Sequence, residues 1–457
     1  MEPRPASRTR PPTAPPDPGV IRPDAEPAPA RQLPGTLAPL GYRDYALYWI
    51  GLATTRGGRS IEELGAVWLM YELTGSPILL GLLGLFRAVP AIVLGPIAGV
   101  FSDRIDQRRL LLVTQGLGLL ASLALGVMIV TGRVEFWHIY LQVAAQASID
   151  SFDSAARQAL FPRLVARRHL PEAVTISSTA GRIATLIGPA IGGVAIANLG
   201  VASPFLLNAA SFVGLLVAVA AMHTLTPAAE RSARSSFRIE LTDGLRHIRS
   251  QPILSGLLKL ELVFGVLQLN SVIITIVGRE ILGVGPEGLG GLLSAAAFGA
   301  LAGTTYLLVV GHAQRQGRFV IGCMLAYAVA LFILAASTIY VLSFAAIAAM
   351  GLLDSLSTVT RHSVMQLATP GHIRGRVMAN MGTVTRGTGP TAELLSGLLS
   401  GLAGGAVALV AAATTLVAAA GITARTNRTL WRFSRDDVLV KPESPADVVD
   451  LPVAEDD

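Results

Sequence analysis

The sequence is poor in charge. Asp, Glu, Lys and Arg make up 14% of its 457 residues, where soluble globular domains carry about a quarter. That shortage excludes an ordinary cytosolic enzyme. There is a single cysteine, Cys323, inside an apolar run, so no intramolecular disulfide can form. No Gly-x4-Gly-Lys-Ser/Thr loop is present, which argues against ATP as the direct energy source. The histidines are scattered, with His362 and His372 ten apart, and support no metal site or cofactor. Aromatic residues are scarce at 6%, which argues against a sugar-stacking pocket. A secretory signal is missing too: residues 1–39 hold 12 of the 27 prolines and no apolar run. Such a composition neither propagates a helix nor builds a core, and the stretch reads as an uncleaved, disordered cytoplasmic tail.

What is abundant is apolar sequence, 52% of the chain, arranged in runs of the roughly 20 residues a bilayer core requires. Twelve segments fall near 45–72, 77–101, 110–131, 136–161, 172–199, 201–222, 252–278, 287–310, 319–337, 339–365, 376–400 and 402–424. Segments 5–6 and 11–12 are joined almost without linker and must form tight hairpins. The expected fold class is an all-α membrane protein, twelve transmembrane helices in two pseudo-symmetric six-helix bundles. The loops after segments 2, 4, 6, 8 and 10 carry fifteen arginines, and the alternate loops carry only Arg133 and Arg279. Positive charge is retained on the cytoplasmic side, so both termini are expected there. The formal charge of +6 is then a topology signal and calls for no nucleic acid. The chain divides into the tail 1–39, a bundle 40–223, a linker 224–251, a second bundle 252–424 and a C-terminal cytoplasmic tail 425–457. Within the linker, Phe237, Leu241, Leu245 and Ile248 have helical spacing, which fits an amphipathic surface helix and equally a simple spacer. The C-terminal tail begins basic, with Arg425, Arg428, Arg432 and Arg435, and ends acidic, with Asp450, Glu455, Asp456 and Asp457.

Two internal echoes stand out. Gly188-Pro189 in segment 5 recurs as Gly389-Pro390 in segment 11, 201 residues later, and each follows an intramembrane arginine, Arg182 or Arg386. The offset is one half-protein, as expected of repeats around a central site. Between segments 2 and 3 runs Gly99-Val-Phe-Ser-Asp103-Arg104-Ile-Asp-Gln-Arg108-Arg109. Here the sequence resembles the major facilitator superfamily, whose signature in this loop is a Gly, then Asp-Arg, then a basic pair. The resemblance implies that Asp103, Arg104, Arg108 and Arg109 form a charge relay and helix-dipole contacts that hold one of two conformations, with Asp153 and Arg157 of segment 4 completing the gate. The second-half counterpart, Gly311-His-Ala-Gln-Arg315-Gln-Gly-Arg318, lacks the acid.

Three further stretches, Trp68-Leu-Met-Tyr-Glu72-Leu-Thr74-Gly75-Ser76-Pro77, Asp153-Ser-Ala-Ala-Arg157-Gln158 and Arg374-Gly375-Arg376-Val377-Met378, are similar to the bacterial exporter subgroup that includes enterobactin and macrolide efflux proteins. Gly188-Pro189-Ala-Ile-Gly192-Gly193 resembles the superfamily's antiporter motif. Pro189 frees a backbone carbonyl and the glycines admit close helix packing, which suits a bendable seam and equally a plain packing contact.

Ionisable groups inside the bilayer are costly, so they face a cavity or a partner. Arg59 and Glu63, four apart, can pair on one face of segment 1, with Glu62 beside them. Asp150, Glu393 and Asp354, in that order, are candidate proton carriers. Arg87, Arg182 and Arg386 are candidate cavity residues. Lys259 and Glu261 are expected near the cytoplasmic end of segment 7 by snorkelling. The leading reading is a non-enzymatic secondary exporter of small amphipathic molecules, drug- or siderophore-like, in a bacterial inner membrane, monomeric, driven by proton antiport through alternating access. A proton-coupled nutrient uptake permease is the competing transport reading, and a membrane sensor or scaffold the competing class.

Overall fold

The computed structural model describes Arg31 and residues 35–102, 104–222, 246–311 and 313–433. All regular elements among them are helical. A 3-10 helix, Gly35–Gly41, reaches into the stretch read as tail and leads into α1 (Arg43–Thr74). Then follow α2 (Pro77–Ser102), α3 (Gln107–Val130), α4 (Phe136–Leu160), α5 (Leu170–Leu199) and α6 (Ser203–Ala220). The helix α7 is interrupted: Pro252–Leu267 is followed by Ser271–Ile276 and a π-helical turn, Val277–Ile281. The chain continues through α8 (Pro286–Val310), α9 (Gln316–Ala336), α10 (Tyr340–Ala368), α11 (Gly371–Ala403), α12 (Gly405–Thr426) and a short α13 (Arg428–Arg432). Of the spaced linker residues only Ile248 is described, buried against the C-terminal half. Phe237, Leu241 and Leu245 lie outside the described residues, as does the acidic end of the chain.

Local sequence fixes the ends of these helices. Proline opens α2, α7 and α8, where its missing N–H costs nothing. Gly75 closes α1 in the left-handed region at φ 58°, which accounts for the Thr74-Gly75-Ser76-Pro77 stretch: one residue turns the chain and proline restarts it. Asp106 caps α3, its carboxylate accepting from the Arg109 amide.

Among the described residues, nine helical spans are long and apolar enough to cross a bilayer. The exceptions among the long helices are α1, α4 and α11, which have the length but are too polar, α1 through its charges and α4 and α11 through their polar side chains as well. Large apolar side chains such as Ile92, Val93, Leu120, Leu308, Val309 and Leu402 lie exposed, as a lipid-facing surface requires. The C-terminal half packs around a large core that includes Leu257, Phe264, Met324, Tyr327 and Met350, with a small satellite cluster at Leu307, Cys323 and Leu356. The N-terminal half has two: one around Tyr45, Leu52, Leu111 and Leu215, the other around Met70, Leu80, Ile139 and Phe205. A polar layer separates them.

Candidate functional site

The charged helices α1 and α4 meet α5 and α8 around a cavity of about 910 Å³. Its wall is built from residues 48–59 of α1, 150–158 of α4, 174–185 of α5 and 297–301 of α8. These are the halves of the helices nearest the arginine-rich loops, here called the basic face. Both halves of the protein contribute to it, and its volume suits a small molecule.

A chain of ionic side chains runs from this cavity toward the opposite face. Arg157 pairs with Asp153, and its guanidinium lies 5.9 Å from the Tyr48 ring centroid. Asp153 also accepts from Gln115 Nε2 at 2.6 Å. Next, Arg59 pairs with Asp150. Both also line a second, deeper cavity of about 200 Å³, together with Glu63 and Arg87, so this pair stands between the two spaces. Beyond it, Arg87 Nη1 donates to Glu63 Oε1 at 3.2 Å and to Glu393 Oε1 at 2.7 Å. That last bond joins α2 of one half to α11 of the other. Glu393 is 6% exposed, and its second oxygen, Oε2, has no hydrogen-bond partner among the described residues. Arg59 therefore does not pair with Glu63 as the i,i+4 spacing suggests. Each finds an opposite charge on a neighbouring helix, where the geometry is not limited to one helical face.

Glu62 also lines the smaller cavity but forms no ion pair among the described residues. Its carboxylate is buried and accepts from Ser122 Oγ (2.7 Å), Gln142 Nε2 (2.7 Å) and Asn208 Nδ2, which ties α1 to α3, α4 and α6 through neutral donors. Asp354 bonds Thr358 on its own helix at 3.2 Å and lines neither cavity. Arg182 lines the large cavity and donates to Thr304 Oγ1 across the halves at 3.1 Å. Arg386 bonds the Gly382 carbonyl of its own helix, so the two arginines that precede the Gly-Pro pairs do not meet. Glu261 does not snorkel. At 3% exposed it pairs with Arg361 at 3.0 Å and accepts from Thr385, whereas Lys259 is exposed.

The opposite face is closed by direct contact between the halves. A Cβ on Gly193 would lie 3.0 Å from Glu287 Cα of α8, and one on Gly290 would lie 3.1 Å from the Pro189 carbonyl carbon. A Cβ on Gly81 of α2 would lie 2.7 Å from Gly397 Cα of α11. Only glycine permits backbones this close. Gly188 and Gly192 pack instead on α1, against Ser60 and Leu64. Gly389 faces open space, but the Pro390 carbonyl abuts Gly84 of α2, so the α2–α11 seam runs from Pro390 through Gly397 to Gly401. At the end of this face, Arg279 lies 4.4 Å from the Trp68 ring centroid, and Tyr71 Oη donates to Glu280 at 2.9 Å. The spacing of Gly397 and Gly401, small residues four apart, was the available signal for the second seam. Arg56, one turn before Arg59, was the signal for a further cavity arginine.

In the signature loop, Asp103 lies outside the described residues. Arg108 donates to the Val219 and Ala220 carbonyls at 3.0 and 2.6 Å, a cation at the C-terminal end of α6. Arg104 and Arg109 are exposed, and Gly99 has open space around its α-carbon.

Known proteins bear on this arrangement. The MFS-type transporter YfiS of Bacillus subtilis is 29% identical over 56% of this chain and 66% of its own, so that alignment spans just under two thirds of the relative. The multidrug efflux pump Tap of Mycolicibacterium fortuitum is 24% identical over 77% of this chain and 88% of its own, and the enterobactin exporter EntS of Citrobacter koseri is 24% identical over 73% and 76%. The crystal structure of a bacterial homolog of the human lysosomal transporter Spinster, inward-facing and occupied, superposes with a TM-score of 0.63 at 14% identity, covering 86% of this chain and 99% of that one, a likeness of fold. The transmembrane secretion effector family matches residues 34–457. Helical halves that meet at glycine seams on one face and part around a cavity on the other thus have a family to match: the chain belongs to the transmembrane secretion effectors of the major facilitator superfamily, and is a multi-pass membrane transporter.

Proposed function

We propose that this protein is a secondary active exporter of small amphipathic molecules, working by proton antiport in the cytoplasmic membrane of a bacterium. The observation that carries this reading is the asymmetry of closure: a cavity between the halves on the basic face, and backbone-to-backbone glycine contact on the other. With the basic face in the cytoplasm, the cavity is open inward and ready to load. The six-helix bundles 40–223 and 252–424 then rock about the seams, as a monomer, to present the cavity outside.

Glu393 and Arg87 supply the coupling. A proton arriving at the free oxygen of Glu393 removes the charge that holds Arg87, leaving Arg87 to Glu63 alone and releasing the bond between α2 and α11. The proton leaves by the smaller cavity and Asp150, where Arg59 again balances a carboxylate that has lost its proton. Arg108 at the end of α6, with Asp103 of the same loop, biases the equilibrium between the two states. The names multidrug efflux pump and enterobactin exporter among its relatives support outward transport of amphipathic cargo.

The test is accumulation of a compound panel in cells with and without the protein, each with and without an uncoupler. Lowered accumulation that the uncoupler abolishes is the expected result. Raised accumulation would make the protein an uptake permease, and no change across the panel would favour a sensor or scaffold.

A further inference from the structure

The large cavity carries more positive charge than its own fold neutralises. Four arginines line it, Arg56, Arg59, Arg157 and Arg182, against two aspartates, Asp150 and Asp153. Both aspartates are taken, by Arg59 and Arg157. Among the described residues Arg56 and Arg182 have no carboxylate within ion-pair distance. A Cβ on Gly181 would lie 3.1 Å from Arg56 Nη1, which places the Arg56 guanidinium against α5, while Arg182 of the same helix reaches Thr304 of α8.

Two guanidinium groups without a carboxylate, in one cavity between membrane-spanning helices, leave that cavity with a net positive charge that attracts an anion. Sequence did not force this arrangement, since Ser177, Ser178 and Thr185 on the same wall show that neutral polar residues suffice to wet it. Apolar side chains, Leu52, Phe161 and Leu301, complete the lining. We infer that the cavity binds amphipathic anions, with the acidic group of the cargo held between Arg56 and Arg182 and its apolar body against the aliphatic and aromatic wall. Guanidinium suits this task because it stays charged and bonds carboxylate or sulfonate oxygens in pairs. A cationic drug would meet a net repulsive cavity. The inference rests on the transport reading and names its cargo class.

The test uses the full chain in nanodiscs and isothermal calorimetry with three probes: naphthalene-2-sulfonate, the larger anion cholate, and trimethyl(2-naphthyl)ammonium as the matched cation. Binding of at least one anion and not of the ammonium is expected. Arg56→Gln and Arg182→Gln should each weaken that anion about tenfold, as loss of a charge-assisted hydrogen bond predicts. Arg56→Lys and Arg182→Lys, which keep the charge, should recover part of it, separating charge from folding. Equal or tighter binding of the ammonium, anion affinity unchanged in both Gln variants, or binding of neither anion would overturn the inference. Because the measurement uses no gradient, its failure is distinct from that of the export reading. Arginine-dependent anion binding by a protein that fails the accumulation test would discard export alone, and uncoupler-sensitive export of the ammonium would discard the anion site alone.

Discussion

The two halves of the molecule handle buried charge in opposite ways. In the N-terminal half, a polar layer splits the apolar core in two, and its ion pairs, Arg59–Asp150 and Arg157–Asp153, open onto a cavity. In the C-terminal half one large core is flanked by a small cluster at Leu307, Cys323 and Leu356, and Glu261–Arg361 is buried. There Arg361 is 1% exposed, 4.9 Å from the Phe264 ring centroid and bonded to Ser357 and Thr358. A pair reached by water can part and re-form as cargo or protons arrive. A pair shut away from water, each member held by further hydroxyl contacts, fixes α7 against α10. The same residue types thus line a cavity in one half and lie sealed in packing in the other, and on the exporter reading the first would serve movement and the second rigidity.

This contrast can be broken experimentally, most severely in the sealed half. Arg361→Met should strand Glu261 and cost about 3–5 kcal/mol, the range for a buried pair that loses one partner. Thermal unfolding in detergent should register a large fall, and the double variant Arg361→Met, Glu261→Leu should recover most of it. An Arg361→Met protein as stable as wild type would remove the claim that this pair is structural.

In the N-terminal half and at its junction with α11, the expected effects fall on transport more than on folding. Glu393→Gln should abolish substrate-induced proton movement in proteoliposomes while equilibrium substrate binding persists, because a permanently neutral side chain can neither load nor release a proton. Intact proton coupling in this variant would pass the role to Asp150, tested in the same assay as Asp150→Asn.

Gly193→Leu places bulk against Pro286 and Glu287 of α8, so it should disfavour the closed opposite face by at least tenfold, about 1.4 kcal/mol. Thiol labels placed near Tyr71 would report greater accessibility. Gly192→Leu, which meets α1 within one half, should lower expression more than it alters labelling. Identical behaviour of the two would show that the seam between the halves is not set at Gly193.

The smallest effect belongs to Arg108→Ala. Loss of its bonds to the Val219 and Ala220 carbonyls should shift the conformational balance by about 0.3–1 kcal/mol, the usual worth of a cation at a helix end. Labelling at the two cavity mouths would measure it.

The helices were readable because lipid demands long apolar runs. Proline at the start of α2, α7 and α8 and Gly75 after α1 mark ends that the sequence states outright. The interruption of α7 was not readable, since Gln268-Leu269-Asn270 contains neither glycine nor proline and its stability comes from partners distant in sequence. The identity of charged residues in the site was visible, but their pairing was not. Arg59 and Glu63 satisfy the helical spacing rule, and only the packing of α4 and α2 against α1 shows that Asp150 and Arg87 are nearer partners. Likewise the repeat of Gly-Pro in α11 lies on the α2–α11 seam through the Pro390 carbonyl, but the seam continues two turns on to Gly397, which the echo did not indicate, because tertiary packing selects which glycine meets the neighbour.

The break in α7 makes the closing face a jointed structure. The Leu269 amide donates to Tyr327 Oη at 2.7 Å, and Asn270 both caps the following piece and donates to Ser396 of α11, so the interrupted ladder leaves these groups satisfied. The piece beyond the break belongs to both halves: Val272 and Ile276 pack into the N-terminal core, Ile273 and Val277 into the C-terminal one. It is therefore shared between the two halves, and under the rocking proposed above it would serve as a bearing between them. Under that rocking, angular displacement would concentrate in Gln268, Leu269 and Asn270, and no long helix would need to bend.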